Sequence, residues 1–323
     1  MKNQISALAV LFIFSLCQAQ QEILFTQYIF SQLAVNPAYA GNSSDLSITA
    51  INRKQWIGIE GSPNSVSLYA DGAILGHDPE KARNFHKDRR FPLFSNNKQL
   101  GFGLVLFNDR IGVNNYFEAG IAYSYKINFN NYTRLSFGML TSAMNFNQDF
   151  EKLENIDMND ATFRHNLNII RFNVGSGVFF ETEHYFVSFS VPSIIKNDLD
   201  PEDKEGEKQL RQYFLSAGYL IYLHPLYKLK PTIMVRHTED LPTQFDLNLY
   251  LLYNERFWTG VSYRYNNSVN ISGKILISQS FSVGLAYEMG ISTVSRANMG
   301  SAEILVNYIF KQPKKRIINP RYF

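Results

Sequence analysis

The side chains that commonly do chemistry are thinly spread in this chain. Its six histidines are scattered, with no HExxH pattern and no ordering that suits a Ser–His–Asp hydrolase. Gly101-Phe102-Gly103 and Gly175-Ser176-Gly177 fall inside strand-like runs, so neither reads as a phosphate loop. Asp198, Asp200 and Asp203 offer the oxygen ligands that calcium takes, but their spacing completes no EF-hand loop. A solvated acidic loop is the plainer reading, and no metal site, cofactor or catalytic residue is assigned. A surface enzyme would need a cluster of His, Ser or carboxylate groups that the sequence does not present.

The chemistry on offer is instead basic and aromatic. Arg83, Lys87, Arg89 and Arg90 crowd one connection, and Lys314, Lys315, Arg316 and Arg321 crowd a tail that ends on Tyr322-Phe323. Such density helps encounter with an acidic partner, and a terminal aromatic pair beside Arg321 suits anchoring in a pocket. For the connection a solvated charge run is the equal alternative, whereas for the tail the docking role is preferred. Near the start, Tyr28, Phe30, Asn36, Pro37 and Tyr39 lie in a segment without strand alternation. It reads either as a plug or lid on a barrel end, or as a further part of the docking surface. Two connections are acidic. Residues 147–166 hold Asp149, Glu151, Glu154, Asp157 and Asp160, and residues 192–211 hold Asp198, Asp200, Glu202, Asp203, Glu205 and Glu207. Net charge is only +3, so nucleic acid is not an expected partner.

Strands must position these groups. From 268 to 278, Val269, Ile271, Ile275 and Ile277 share one parity, and Ser268, Asn270, Ser272 and Lys274 the other. From 281 to 289, Phe281, Val283, Leu285, Tyr287 and Met289 alternate with Ser282, Gly284 and Glu288. Period two means a sheet with one apolar and one polar face. Runs of about ten residues joined by short polar turns are the pattern of an outer-membrane antiparallel β-barrel. Strands are expected at 46–56, 65–75, 99–107, 113–129, 132–146, 167–180, 185–191, 212–223, 229–237, 244–253, 257–265, 268–277, 281–289 and 301–310. That is roughly fourteen, an even number as both termini on one side require. Gly175 and Gly177 weaken the sixth, and Pro231 suits only the start of the ninth. The 26 Phe and 19 Tyr fit aromatic girdles. A soluble β-sandwich is the alternative, disfavoured because the alternation runs on without a break in composition.

Lys2, the apolar run 5–16 and Cys17-Gln18-Ala19 read as a secretory signal cut after Ala19. A lipidated Cys17 is the lesser alternative, since bulky Leu16 precedes it. The expected organisation is a signal peptide at 1–19, an N-terminal periplasmic segment or plug at 20–45, a transmembrane barrel at 46–310 and a periplasmic tail at 311–323. Short even-to-odd connections then face the periplasm and longer ones face outwards. The basic connection after residue 75 is the long exception. Arg53, Glu118, Lys126, Arg134, Arg236, Asp246 and Arg264 fall on lumen-facing parity, either lining a channel or packing a closed lumen, the second being preferred. Trp56 and Trp258 read as interface anchors.

Four phrases carry a resemblance. They are Gln27-Tyr28-Ile29-Phe30-Ser31-Gln32-Leu33-Ala34-Val35-Asn36-Pro37-Ala38-Tyr39-Ala40-Gly41, Arg53-Lys54-Gln55-Trp56, Gly61-Ser62-Pro63 and Asn319-Pro320-Arg321-Tyr322-Phe323. Together they resemble the PorP/SprF family, outer-membrane proteins of the type IX secretion and gliding machinery of Bacteroidota. Gln27, Gln32, Ala38, Gly41, Arg53, Gln55 and Trp56 are the positions on which the likeness rests. The resemblance implies a non-enzymatic barrel set in outer-membrane lipid, working with type IX secretion components of the periplasm and outer membrane. Its cargo would be a secreted protein with a C-terminal signal domain, such as a gliding adhesin. A channel or transporter for small or hydrophobic solutes is the alternative reading of the same barrel.

Overall fold

The computed structural model describes residues 25–43, 45–75, 98–130, 132–149, 167–197, 209–291 and 298–311. The expected signal peptide at 1–19, Arg83, Lys87, Arg89, Arg90, Asp198, Asp200, Asp203 and the tail residues Lys314, Lys315, Arg316, Arg321, Tyr322 and Phe323 lie outside these.

Fifteen strand segments form one sheet. Two of them share a single track, so the closed barrel has 14 strands. In chain order these are β1 (Leu46–Lys54), β2 (Asn64–Leu75), β3 (Lys98–Ile111), β4 (Asn114–Asn128), β5 (Arg134–Gln148), β6 (Leu167–Glu181) and β7 (Tyr185–Val191). Then come β8 (Gln212–Tyr219, continued by Ile221–His224), β9 (Tyr227–Thr238), β10 (Gln244–Tyr253), β11 (Phe257–Arg264), β12 (Ser268–Leu276), β13 (Phe281–Gly290) and β14 (Ser301–Phe310). Neighbours are antiparallel, and β14 returns to pair with β1 from Leu46↔Phe310 to Lys54↔Ala302, which closes the sheet.

The alternation works inside out. In β13, Leu285 is 60 % exposed and Ser282 is 1 % exposed. Outward positions are mainly apolar, as a lipid-facing wall requires, and the inner face carries most of the polar and charged side chains together with apolar ones such as Ile51, Phe179 and Met234. Short turns at 129–133, 182–184, 225–226, 254–256 and 277–280 gather at one end. The strand ends that flank 55–63, 149–166, 192–211 and 291–300 lie at the other. There, β3 and β4 run on past their apolar cores to a two-residue turn, Gly112-Val113, with Gly112 at φ +56°.

Pro231 departs from expectation. β9 begins at Tyr227, so the proline lies inside the strand. The sheet answers by breaking β8 opposite it. Pairing passes from Gly218↔Thr232 to Ile221↔Leu229 and skips Tyr219 and Leu220. Proline has no N–H to give to Tyr219, and the ladder opens there. The Leu220 N–H donates to His184 O, in the turn just before β7, at 2.6 Å.

Candidate functional site in the barrel lumen

The segment before β1 threads the barrel. It makes three single 3-10 turns, Tyr28–Phe30, Gln32–Ala34 and Pro37–Tyr39. Asn36 opens the third, its Oδ1 accepting the Ala38 N–H at 2.8 Å, with Pro37 at the first position where no N–H is needed. The turns meet inward side chains from opposite sides of the barrel. Phe25, Leu33 and Ala40 pack with Ile51, Val105 and Leu305. Tyr28, Ile29 and Val35 pack with Phe214, Met234 and Tyr250. Ala38 packs with Phe179 and Phe186.

Charges hold both ends of the segment. At the long-connection end, Arg53 Nη1 donates to Glu303 Oε1 at 2.7 Å and Nη2 to Glu288 Oε2 at 3.0 Å. Glu303 also accepts the backbone N–H groups of Thr26 (2.6 Å) and Gln27 (3.1 Å). At the short-turn end, Arg134 Nη1 donates to Asn42 Oδ1 at 3.0 Å and lies 3.3 Å from Glu181 Oε1. Asp71 accepts the Gly41 N–H at 3.0 Å, and Lys126 Nζ donates to Ala38 O at 3.0 Å. In between, Asn36 Nδ2 donates to Ser188 Oγ at 2.7 Å, and Asn248 Nδ2 to the Tyr28 hydroxyl at 2.7 Å. Polar groups buried with partners in this way fix one position for the segment, because a lone partner left behind would stay desolvated.

Glycines of the wall make room for it. A Cβ on Gly177 would overlap the Asn36 side-chain oxygen, and one on Gly138 would overlap the Ala38 backbone nitrogen. The sixth strand is therefore not weakened by Gly177. The missing side chain lets the segment lie against the wall.

Gln27, Gln32, Ala38, Gly41 and Arg53 are all buried in this contact. Tyr28, Asn36 and Pro37 are buried, and Phe30 and Tyr39 half-buried. The side chains of these five face the inner wall rather than an open docking surface. Gln55 is half-buried where the chain leaves β1, its N–H donating to Pro63 O at 2.9 Å. Trp56 beside it is 43 % exposed. Trp258 is not an interface anchor. It shares the lumen parity of β11 with Gly260, Ser262 and Arg264, and its ring meets Phe30 edge-on at 5.8 Å.

Arg53, Lys126, Arg134, Arg236, Asp246 and Arg264 are buried on the inner face, and Glu118 is half-buried there. Arg264 holds Asp246 at 3.0 Å. Sequence reasoning missed the partners Glu181, Glu288, Glu303 and Asp71. It also missed the lysines that face the segment, Lys274 over the Phe30 ring at 5.0 Å and Lys230 over Trp258 at 5.7 Å. Parity had put Glu288 and Lys274 on the polar face, without naming what they meet. Among the described residues, no three His, Cys, Asp or Glu side chains gather as a metal site. The arrangement obstructs and positions.

The sequence profile of a family described as "Type IX secretion system membrane protein PorP/SprF" matches residues 17–308. No curated protein matches the chain in sequence. Among solved structures, the CymD monoaromatic hydrocarbon channel superposes with a TM-score of 0.50 at 11 % identity, over 90 % of this chain and 94 % of that one. The Acinetobacter baumannii outer-membrane protein Omp33 covers 83 % of this chain and 98 % of its own, with a TM-score of 0.42 at 7 % identity. At such identity, the CymD likeness speaks for the outer-membrane barrel fold alone.

Proposed function

The chain belongs to the PorP/SprF family of type IX secretion membrane proteins, and from that premise we propose a non-enzymatic outer-membrane barrel that supports export or surface anchoring of a particular cargo. The cargo would be engaged through its C-terminal signal domain, with gliding adhesins one such class. The short-turn end would face the periplasm and carry the basic connection with Arg83, Lys87, Arg89 and Arg90, and the tail with Lys314, Lys315, Arg316, Arg321, Tyr322 and Phe323. These would dock the periplasmic machinery. The signal peptide and an origin in Bacteroidota belong to the same reading.

The observation that carries it is the occupied lumen. Residues 25–42 fix inward groups on β1, β2, β4, β5, β7, β10 and β14 at once. A barrel whose interior is committed to its own segment has its ends and loops left for work, which disfavours a passive solute channel.

Removing residues 311–323 is the test. The barrel is expected to assemble and to shift on heating as a folded barrel does, while the surface level of its cargo falls to that of the deletion strain. Normal cargo handling in this truncation, with no type IX component co-purifying from gently solubilised membranes, would remove the docking role.

A further inference from the structure

β7 has 7 residues where β6 beside it has 15. Their ladder stops at Ser176↔Val191. The chain then turns into the lumen, with Pro192 lying over Gly175 so closely that a Cβ there would overlap the proline carbonyl. Asn173, buried on the inner face, holds the diverted chain. Its Oδ1 accepts the N–H groups of Ile194 and Ile195, each at 3.1 Å. Its Nδ2 donates to Gln209 Oε1 at 3.1 Å.

The diversion leaves a step in the wall. From residue 167 to 173, β6 pairs with β5 on one side, and among the described residues no strand pairs with it on the other. Even-numbered residues turn their backbone groups to that open side, as the bond from Ile194 N–H to Val174 O (2.8 Å) shows. Two side chains stand in for the missing strand. Arg171 Nη1 donates to Ile170 O at 3.1 Å, and Asn197 Nδ2 to Phe172 O at 3.2 Å. Ile170 and Phe172 point outwards beside these carbonyls, 62 % and 68 % exposed. Phe172 lies opposite Ala143 and Ile170 opposite Asn145 of β5. The edge thus starts at the upper margin of the apolar band and rises above it, at the long-connection end.

We propose that this edge of β6, residues 168–172, is a strand-addition site for an extended segment of the secreted cargo. The inference rests on the cargo-handling reading above. An apolar strand edge invites another backbone, because donors and acceptors at strand spacing are matched only by a second strand. The chain's own continuation after Val191 is tied inside the lumen by Asn173. Three alternate backbone positions and two outward apolar side chains suit a segment with apolar residues at every second place. Such a segment would displace the Arg171 and Asn197 side chains.

The test uses the full chain in cells, with a photo-crosslinking residue at exposed Asn168. Cargo is defined as a secreted protein whose surface level falls when the barrel is deleted. The expected result is a cargo adduct that drops about tenfold in Ile170→Pro, which removes one amide on the open side and leaves the ladder to β5 intact. Should that variant fail to reach the folded, heat-shifting form, Phe172→Lys takes its place, since it keeps every backbone group. An adduct only within the chain or to a second copy, or a cargo adduct unchanged in these variants, overturns the proposal. Cargo lost on tail truncation but untouched by them overturns the edge and leaves the cargo reading standing. No secreted protein depending on the barrel overturns both.

Discussion

Arg53 on β1 and Glu303 on β14 lie 2.7 Å apart across the seam where the barrel closes, and the same carboxylate accepts the Thr26 N–H at 2.6 Å. One ion pair therefore staples the closing strands and latches the lumenal segment. Both side chains are nearly fully buried. Arg53→Met removes the cation and leaves Glu303 and Glu288 without it, at a cost of about 3–5 kcal/mol. The expected outcome is a barrel that still forms, with the start of the segment released. A cysteine at Thr26 becomes labelled by an aqueous thiol reagent, and single-channel conductance rises above that of the native protein. Native conductance and an unlabelled cysteine would show that the latch lies elsewhere.

Gly177 and Asn36 make a second test, because their contact is one of space. Gly177→Ala places a methyl where the Asn36 oxygen sits, and overpacking of this kind costs about 1–3 kcal/mol. Asn36→Ala alone removes the bonds to Ser188 and Val178. The double variant is expected to be more stable than the sum of the two losses, since the second change clears the space that the first one needs. Strict additivity, read from urea unfolding in detergent, would place the two residues apart.

These pairs show what was legible in the sequence. Strands were legible because every side chain of a two-faced sheet reports its face through period two, and β10 to β14 alternate with few exceptions. The lumenal segment was legible only as a stretch without strand alternation, either a plug or lid or part of a docking surface, since single 3-10 turns have no period to read. Its one local sign was Asn36-Pro37 ahead of a turn. The charges of Arg53, Arg134 and Arg264 could be placed by parity, but not their partners. Arg53 and Glu303 are 250 residues apart, and only closure of the barrel brings them together. Gly177 looked like a defect because its contact comes from another segment altogether. Trp258 looked like an anchor because its type suggested the membrane interface, and parity, which places it inwards, was the better guide.

Glu239 gives a pH-dependent prediction outside the membrane-spanning wall. It follows β9 and meets Lys196, with Arg211 Nη1 at 3.4 Å. The Lys196 hydrogen bond, more than the charges of Lys196 and Arg211, holds the carboxyl below its usual range. A carboxyl depressed in the folded state adds stability above its unfolded value, and that contribution is lost as pH falls through the folded value. Hydrogen exchange at Ile194 and Gln209, corrected for intrinsic rate, should therefore hold steady from neutral pH down to roughly pH 4.3, then quicken below it. Glu239→Gln is expected to remove the step. The same step in that variant would assign the titration to another group.

Pro231 tests whether the break in β8 is the proline's doing. Tyr219 lies where Pro231 would have to donate, while the Leu220 N–H keeps the β7–β8 register and donates to His184 O. Pro231→Val restores the missing donor without changing which face the side chain takes. A valine also suits a pleated, lipid-facing position. The ladder from Thr232 to Leu229 should then run unbroken, with about 1 kcal/mol gained from one further bond in the wall. A protected amide at position 231 of the variant, together with a rise in the urea midpoint, is the expected result. If Tyr219 and Leu220 stay unpaired in the variant, the inward packing of Leu220, which is 1 % exposed, holds the break open and the proline merely tolerates it.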